Sequence, residues 1–275
     1  MLFCEPVDII TASPPCPAFS NASNAAGLEK PEGQVIIDTI LKILLLQPKI
    51  MVLEEVASLR SHVHFPLILE LLNWGNFQVA WQEVLNLDDW LPQSRPRLIL
   101  IAFRRCSYGL KHFACKPWNP SPSRSLSLQE SHCLLADEAI IEITSAPLDI
   151  ETAKLYFDHA KIPGATPRSF KDVLRFRLRT PNDRVQCIMA SYAFGHEIDA
   201  DSQSQKGIFG SILRHQGRLR FLAGPELLWL QGLSVEWQGP LNPRLLNHII
   251  GNAISVPHAL IGFFQRAGSL YPSGI

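Results

Sequence analysis

Short apolar runs alternate with apolar stripes of helical period through the first hundred or so residues. Val7-Asp8-Ile9-Ile10-Thr11-Ala12 is rich in β-branched residues and reads as a strand feeding a proline-stiffened turn. Val35 to Leu46 repeats its apolar positions at helical spacing and is closed by Pro48, which predicts a helix. Ile50-Met51-Val52-Leu53-Glu54 is a continuous apolar run ending in carboxylates, the pattern of a buried strand. Pro66 to Asn73 predicts a second helix, with Pro in its first turn and Gly75 behind it. Phe77 to Val84 and Leu98 to Phe103 predict two more strands, joined by a Trp-, Pro- and Asp-rich connection. This alternation predicts an α/β layer on a mainly parallel sheet.

From about Arg104 the pattern loosens. Pro117 to Ser127 is rich in Pro and Ser, and periodicity stays poor until a strand-like run at Val185 to Phe194. Order returns after Arg220, with a helical stretch at Pro225 to Leu230 and Asn242 as N-cap to Pro243. A last helix is predicted from about Ser255-Val256-Pro257 to Arg266. The middle of the chain therefore reads as a second, loop-rich lobe.

With 275 residues, 47% of them apolar, the chain has ample length for a core. It contains no apolar run of about eighteen residues, and Met1 to Pro6 lacks the basic flank and long apolar stretch of a leader, so the expectation is an intracellular protein without a membrane span. Six cysteines without CxxC pairs argue against a disulfide framework, and Cys106, His112 and Cys115 match no common zinc spacing, so no metal is expected. Net charge is zero, but its distribution is uneven. Arg104 to Arg220 holds 17 basic against 12 acidic residues, and Lys161 to Arg184 holds 7 against 2, with Phe170 and Phe176 interleaved. That asymmetry fits one phosphate-facing lobe as well as it fits an ordinary solvated face.

The chemistry centres on Pro14-Pro15-Cys16-Pro17-Ala18-Phe19-Ser20. Pro15 and Pro17 fix their own φ and push their predecessors towards extended geometry, so Cys16 is held between two constraints. A thiolate on a rigid loop at a strand end is a candidate nucleophile, whereas a lone Cys is more often a small buried residue. Further along stand Val52-Leu53-Glu54-Glu55-Val56, Gln93-Ser94-Arg95-Pro96-Arg97, Glu226 with Leu230-Gln231-Gly232, and Gly251-Asn252-Ala253.

Taken in this order, the set resembles the cytosine-5 DNA methyltransferases over nearly the whole chain. The resemblance implies a partial doubly wound, Rossmann-like class I methyltransferase sheet with a loop-rich target-recognition lobe. It divides the chain into a catalytic domain at 1–103, a target-recognition region at 104–218 and a C-terminal part of the catalytic domain at 219–275. It assigns Cys16 as the nucleophile that adds to carbon 6 of a cytosine flipped out of double-stranded DNA. Glu54 is then the acid at N3, and Arg97 with Arg95 the cations that orient the ring. Ser20, Asn252 and Ala253 are assigned to S-adenosylmethionine, and Pro15, Gln93, Glu226, Gln231, Gly232 and Gly251 to the structural motifs.

The family's opening Gly-rich turn, a Phe-x-Gly-x-Gly type of motif, does not precede Cys16, and this predicts an N-terminally incomplete cofactor site. The chain then reads as a fragment, a degenerate copy, or one half of a split enzyme whose complementary polypeptide adds strands beside Ile9. Glu55 stands where the family has Asn, Ala12 and Ser13 where it has Gly, and Pro225 and Trp229 where arginines are common. The alternatives are a catalytically inactive module that binds nucleic acid or protein and, ranked last because its Cys-Phe-Thr signature is not evident, a transfer-RNA cytosine-5 methyltransferase. The compartment follows the DNA: nucleus in a eukaryote, cytoplasm in a bacterium.

Overall fold

The computed structural model describes residues 7–15, 17–19, 27–105, 126–131, 134, 178–188, 211–215, 218–234 and 243–260. The chain divides into two compact units, Met1–Asn86 with Pro96–Pro120 and Val256–Ile275, and Leu87–Arg95 with Ser121–Ser255.

The first unit is a four-stranded sheet with helices. Its strands are β1 (Ile9–Ala12), β2 (Ile50–Val56), β3 (Phe77–Asn86) and β5 (Pro96–Arg104), in the order β1-β2-β5-β3. Every residue of β2 is buried, the apolar run Ile50 to Leu53 as expected of a strand paired on both sides, and Glu54 and Glu55 with it. β1 is an edge strand in that order, and its Ile9 is 45% exposed. Two helices flank the turns into β2 and β3. Helix α1 (Pro31–Leu46) buries Ile36, Ile40 and Ile43, one stripe at helical spacing. Helix α2 (Phe65–Trp74) buries Ile68 and Leu72. These side chains pack with Met51 and Leu53 of β2 and Leu98, Leu100 and Ala102 of β5 in one apolar cluster. Each such fully buried aliphatic contributes roughly 1.5–3 kcal/mol.

The sheet is less parallel than the sequence predicts. β1 pairs with β2 in parallel, but β5 runs antiparallel to both β2 and β3. The cause lies in the connections. Between β3 and β5 the chain has only a 3-10 turn (Leu87–Asp89) and the two-residue strand β4 (Gln93–Ser94), with no crossover helix that a parallel pairing needs. α2 does supply a crossover from β2 to β3, and β5 lies between those two strands. A register shift between Val79 and Trp81 marks a bulge in β3.

The second unit has its own core, which includes Leu128, Val185, Ile188, Ile212, Leu227 and Ile250. β4 pairs in parallel with β7 (Val185–Gln186), while β6 (Leu178–Arg179), β8 (Ile212–His215) and β9 (Arg218–Arg220) form a small mixed sheet. Helices α3 (Gly224–Leu230) and α4 (Pro243–Asn252) follow, and α5 (Val256–Leu260) returns the chain to the first unit. α3 and α4 begin close to where their prolines predict. Asn242 and the far end of the last predicted helix lie outside the described residues. Among the described residues no helix is long and apolar enough to cross a membrane.

Candidate active site

The parallel register of β1 on β2 sets the geometry. Ile9 lies opposite Ile50 and Ala12 opposite Leu53, so the next residues along, Ser13 and Glu54, arrive side by side where β1 ends. The Ser13 hydroxyl donates to Glu54 Oε2 at 2.5 Å. On the other flank Arg97 of β5 lies opposite Val56, on the same face of the sheet as Glu54 by strand alternation. Its Nε stands 3.1 Å from Glu54 Oε1, and both side chains are nearly buried. That contact is an ion pair without hydrogen-bond alignment, since Oε1 has no hydrogen-bond partner. Arg97 also donates from Nη1 to the carbonyl of Pro96 at 2.9 Å, which fixes the stem of the guanidinium.

Cys16 and Ser20 lie outside the described residues, but both flanks of the cysteine loop are described. Pro14 is buried, and beyond Cys16 a 3-10 turn (Pro17–Phe19) buries Ala18 and Phe19. The segment after β2 braces that turn. The Ser58 hydroxyl donates to the Phe19 carbonyl at 2.6 Å, and the His62 ring stands edge-on to Phe19 with centroids 5.2 Å apart. His64 Nδ1 accepts the N–H of Leu28 at 3.2 Å. Gly27, at φ 58, lies against both imidazoles, where a Cβ would run into His62 Cε1 and His64 Nδ1.

Glu55 faces the other way. Strand alternation turns it to the α1–α2 side of β2, where it is 1% exposed. Its Oε2 accepts the N–H of Val56 at 2.9 Å, while Oε1 has no hydrogen-bond partner. Burial pushes its carboxyl from 4.5 up to about 8. The Val56 N–H lowers it, the Glu54 charge raises it, and Arg97 lowers it. Two adjacent carboxyls thus have separate surroundings, one against an arginine and one in hydrocarbon.

An edge strand running into a cysteine loop, beside a carboxylate–guanidinium pair, invites comparison with known proteins. The family model of C-5 cytosine-specific DNA methylases matches residues 3–261. The chain belongs to that family. Type II methyltransferase M.BsuFI of Bacillus subtilis is 25% identical over 254 residues, which cover 91% of this chain and 55% of that protein. Among solved structures, the methyltransferase EhMeth of Entamoeba histolytica aligns with a TM-score of 0.65 at 15% identity, covering 94% of this chain and 77% of that one. A mutant DNMT2 of Spodoptera frugiperda aligns with a TM-score of 0.64 at 15% identity, covering 97% and 80%. These structural matches show the fold, the mixed α/β sheet of class I methyltransferases. The chain spans about half the length, or less, of the curated relatives it matches.

The other residues that the family motifs single out stand in the second unit. Gln93 is fully buried. It donates to the Leu230 carbonyl at 2.7 Å and accepts the Ile188 N–H at 3.1 Å. Arg95 donates from Nη1 to the Ile188 carbonyl at 2.9 Å, and from Nη2 to the carbonyls of Ala253 at 2.8 Å and Gly251 at 3.3 Å. Gln231 donates to the Ile250 carbonyl at 3.1 Å, and Gly232 takes φ 75 in the turn after α3. Gln93, Arg95 and Gln231 therefore tie separated backbone segments together. Glu226 is buried in a two-pronged pair with Arg220 at 2.8 and 2.9 Å, and it also accepts the Ala223 N–H at 2.8 Å. Ala223 has no side-chain acceptor, so only this half of a reciprocal helix cap exists.

Sequence reasoning missed Ser13, Arg220 and His62. Register betrays the first, since strands ending together bring the residues after them into contact. No local pattern signals the other two.

Of the residues assigned to S-adenosylmethionine, Ser20 lies outside the described residues and the other two make contacts within their own chain. The Asn252 side chain is paired with His248 at 3.2 Å, and the Ala253 carbonyl is taken by Arg95. Pro15 is exposed at the mouth of the loop.

Proposed function

We propose that this chain carries out the addition of a cysteine thiolate to carbon 6 of a cytosine in double-stranded DNA, the step that opens cytosine-5 methylation. The observation that carries this reading is the Glu54 carboxyl. One of its oxygens is held by Ser13, and the other lies against Arg97 without a hydrogen bond, next to the strand end that leads to Cys16. A buried carboxyl oxygen left unbonded beside a cation suits a ligand that brings its own polar edge.

In this reading the Cys16 sulfur forms a bond to carbon 6. The C5=C6 pair shifts to C4=C5, and the C4=N3 pair moves to N3, which takes a proton from Glu54. The Glu54 carboxylate left behind is neutralised by Arg97, whose planar fork also suits the ring's exocyclic oxygen. Arg95 bonds backbone carbonyls and is assigned to hold the turn at Gly251–Ala253 rather than to touch the base. The base must leave its stack to be reached, and the basic region 104–218 is assigned to DNA binding. S-adenosylmethionine supplies the methyl group when bound. Asn252 and Ala253, the residues assigned to it, are engaged by their own chain. The same engagement favours the second reading, a family member that binds DNA without reacting.

Proton exchange at carbon 5 separates the two, because it needs no methyl donor. After addition carbon 5 takes a proton from water, and loss of the original hydrogen with expulsion of the thiolate restores the base. Duplex DNA tritiated at cytosine C5 should release tritium to water with the wild-type chain and not with Cys16→Ser. Absence of wild-type release, or equal release by the variant, overturns the proposal.

A further inference from the structure

We infer that Ser13 is a positioning residue for Glu54, a hydroxyl that stays bonded to the carboxyl before and after its proton leaves. The inference rests on the reading of Glu54 as the acid. Arg97 can only donate, so it fits the carboxylate alone. A serine hydroxyl both donates and accepts, so it can take a hydrogen bond from a protonated Glu54 or give one to the ionised group. The contact at 2.5 Å reaches Oε2, which leaves Oε1, on the Arg97 side, as the oxygen for the substrate. Glu54 is 5% exposed, while Ser13, just past the end of β1, is exposed.

The register explains why Ser13 and no other residue serves. Ala12 is fixed opposite Leu53, and one further step along each strand joins Ser13 to Glu54. Three residues later the same segment reaches Cys16, so the brace on the acid and the nucleophile ride on one short stretch of chain. A glycine here would leave Glu54 Oε2 without this donor. The bond to a neutral carboxyl becomes charge-assisted as the proton departs, and charge-assisted bonds are about twice as strong. Its loss should therefore be felt in the chemical step and not in binding.

Tritium release from C5-labelled duplex, measured with the full chain and no methyl donor, tests this. Ser13→Ala should slow release about 10- to 100-fold at saturating DNA while the half-saturating DNA concentration stays put. Ser13→Thr, which keeps the hydroxyl, should recover most of the rate. Release by Ser13→Ala at the wild-type rate, with Glu54→Gln inactive, would overturn the role of Ser13 and leave the acid in place. A Ser13→Thr variant as slow as Ser13→Ala, with both melting earlier, would make Ser13 merely structural. Undiminished release by Glu54→Gln removes the acid and its brace together, whereas no release by wild type removes the reaction itself.

Discussion

Replacing Glu55 by Gln should make the protein more stable, and increasingly so as pH rises from about 5 to 8. Glu55 is 1% exposed with one carboxyl oxygen unbonded, and burial pushes its carboxyl from 4.5 up to about 8. Between those values the folded chain keeps a proton that the unfolded chain has released. The unfolded state binds fewer protons there, so unfolding becomes easier as pH rises. The slope is about 1.4 kcal/mol per pH unit, reaching an upper bound of about 5 kcal/mol near pH 8. Below the unfolded value both states are protonated and the effect vanishes; above about 8 both are ionised and it levels off. Gln keeps the shape and an acceptor for the Val56 N–H but cannot ionise. Urea unfolding of both proteins across this range, read at equal m-values, isolates the difference. A stability gap that does not change with pH, or one that shrinks as pH rises, would refute the reasoning.

Three further outcomes follow from the same geometry. Glu226→Gln should destabilise by about 3–5 kcal/mol, because it strands the buried Arg220 guanidinium; a drop in thermal midpoint of several degrees is the check. Gly27→Ala should cost about 2–4 kcal/mol in urea unfolding, since its Cβ at positive φ meets two imidazoles, whereas a loss below about 0.5 kcal/mol would mean those rings are free to move. Arg95→Ala should cost at least about 3 kcal/mol by leaving carbonyls at Ile188 and Ala253 without their donor, and Arg95→Lys should recover only part, because it cannot fork to both.

What could be read from the chain was whatever depends on local pattern. The buried start of β2, Ile50 to Leu53, was announced by an apolar run, α1 by its stripe and Pro48, and α2 by Pro66 and Gly75. Strand direction was not announced, because apolar alternation is the same whichever way a strand runs; only the lack of a helix between β3 and β5 decides it. Glu54 was legible as a carboxylate at a strand end, while its bond to Ser13 depends on a register between segments 41 residues apart. Gln93 and Arg95 could be picked out as motif members, yet their bonds reach partners 92 to 158 residues away, which no local reading could supply. Glu55 was visible as a second carboxyl beside the first. Strand alternation places it on the opposite face, in hydrocarbon, and burial rather than the neighbouring charge dominates its behaviour.

The central claim is that the thiolate of Cys16 attacks a cytosine ring. Its most direct measurement is peptide mass analysis after incubation with duplex DNA in which 5-azacytosine replaces the target base, a ring that still accepts a thiolate at carbon 6. The account predicts one covalent adduct, on the peptide containing Cys16, absent in Cys16→Ser and suppressed in Glu54→Gln. An adduct on Cys187 or another of the six cysteines, or none on Cys16 when the DNA is bound, would contradict it.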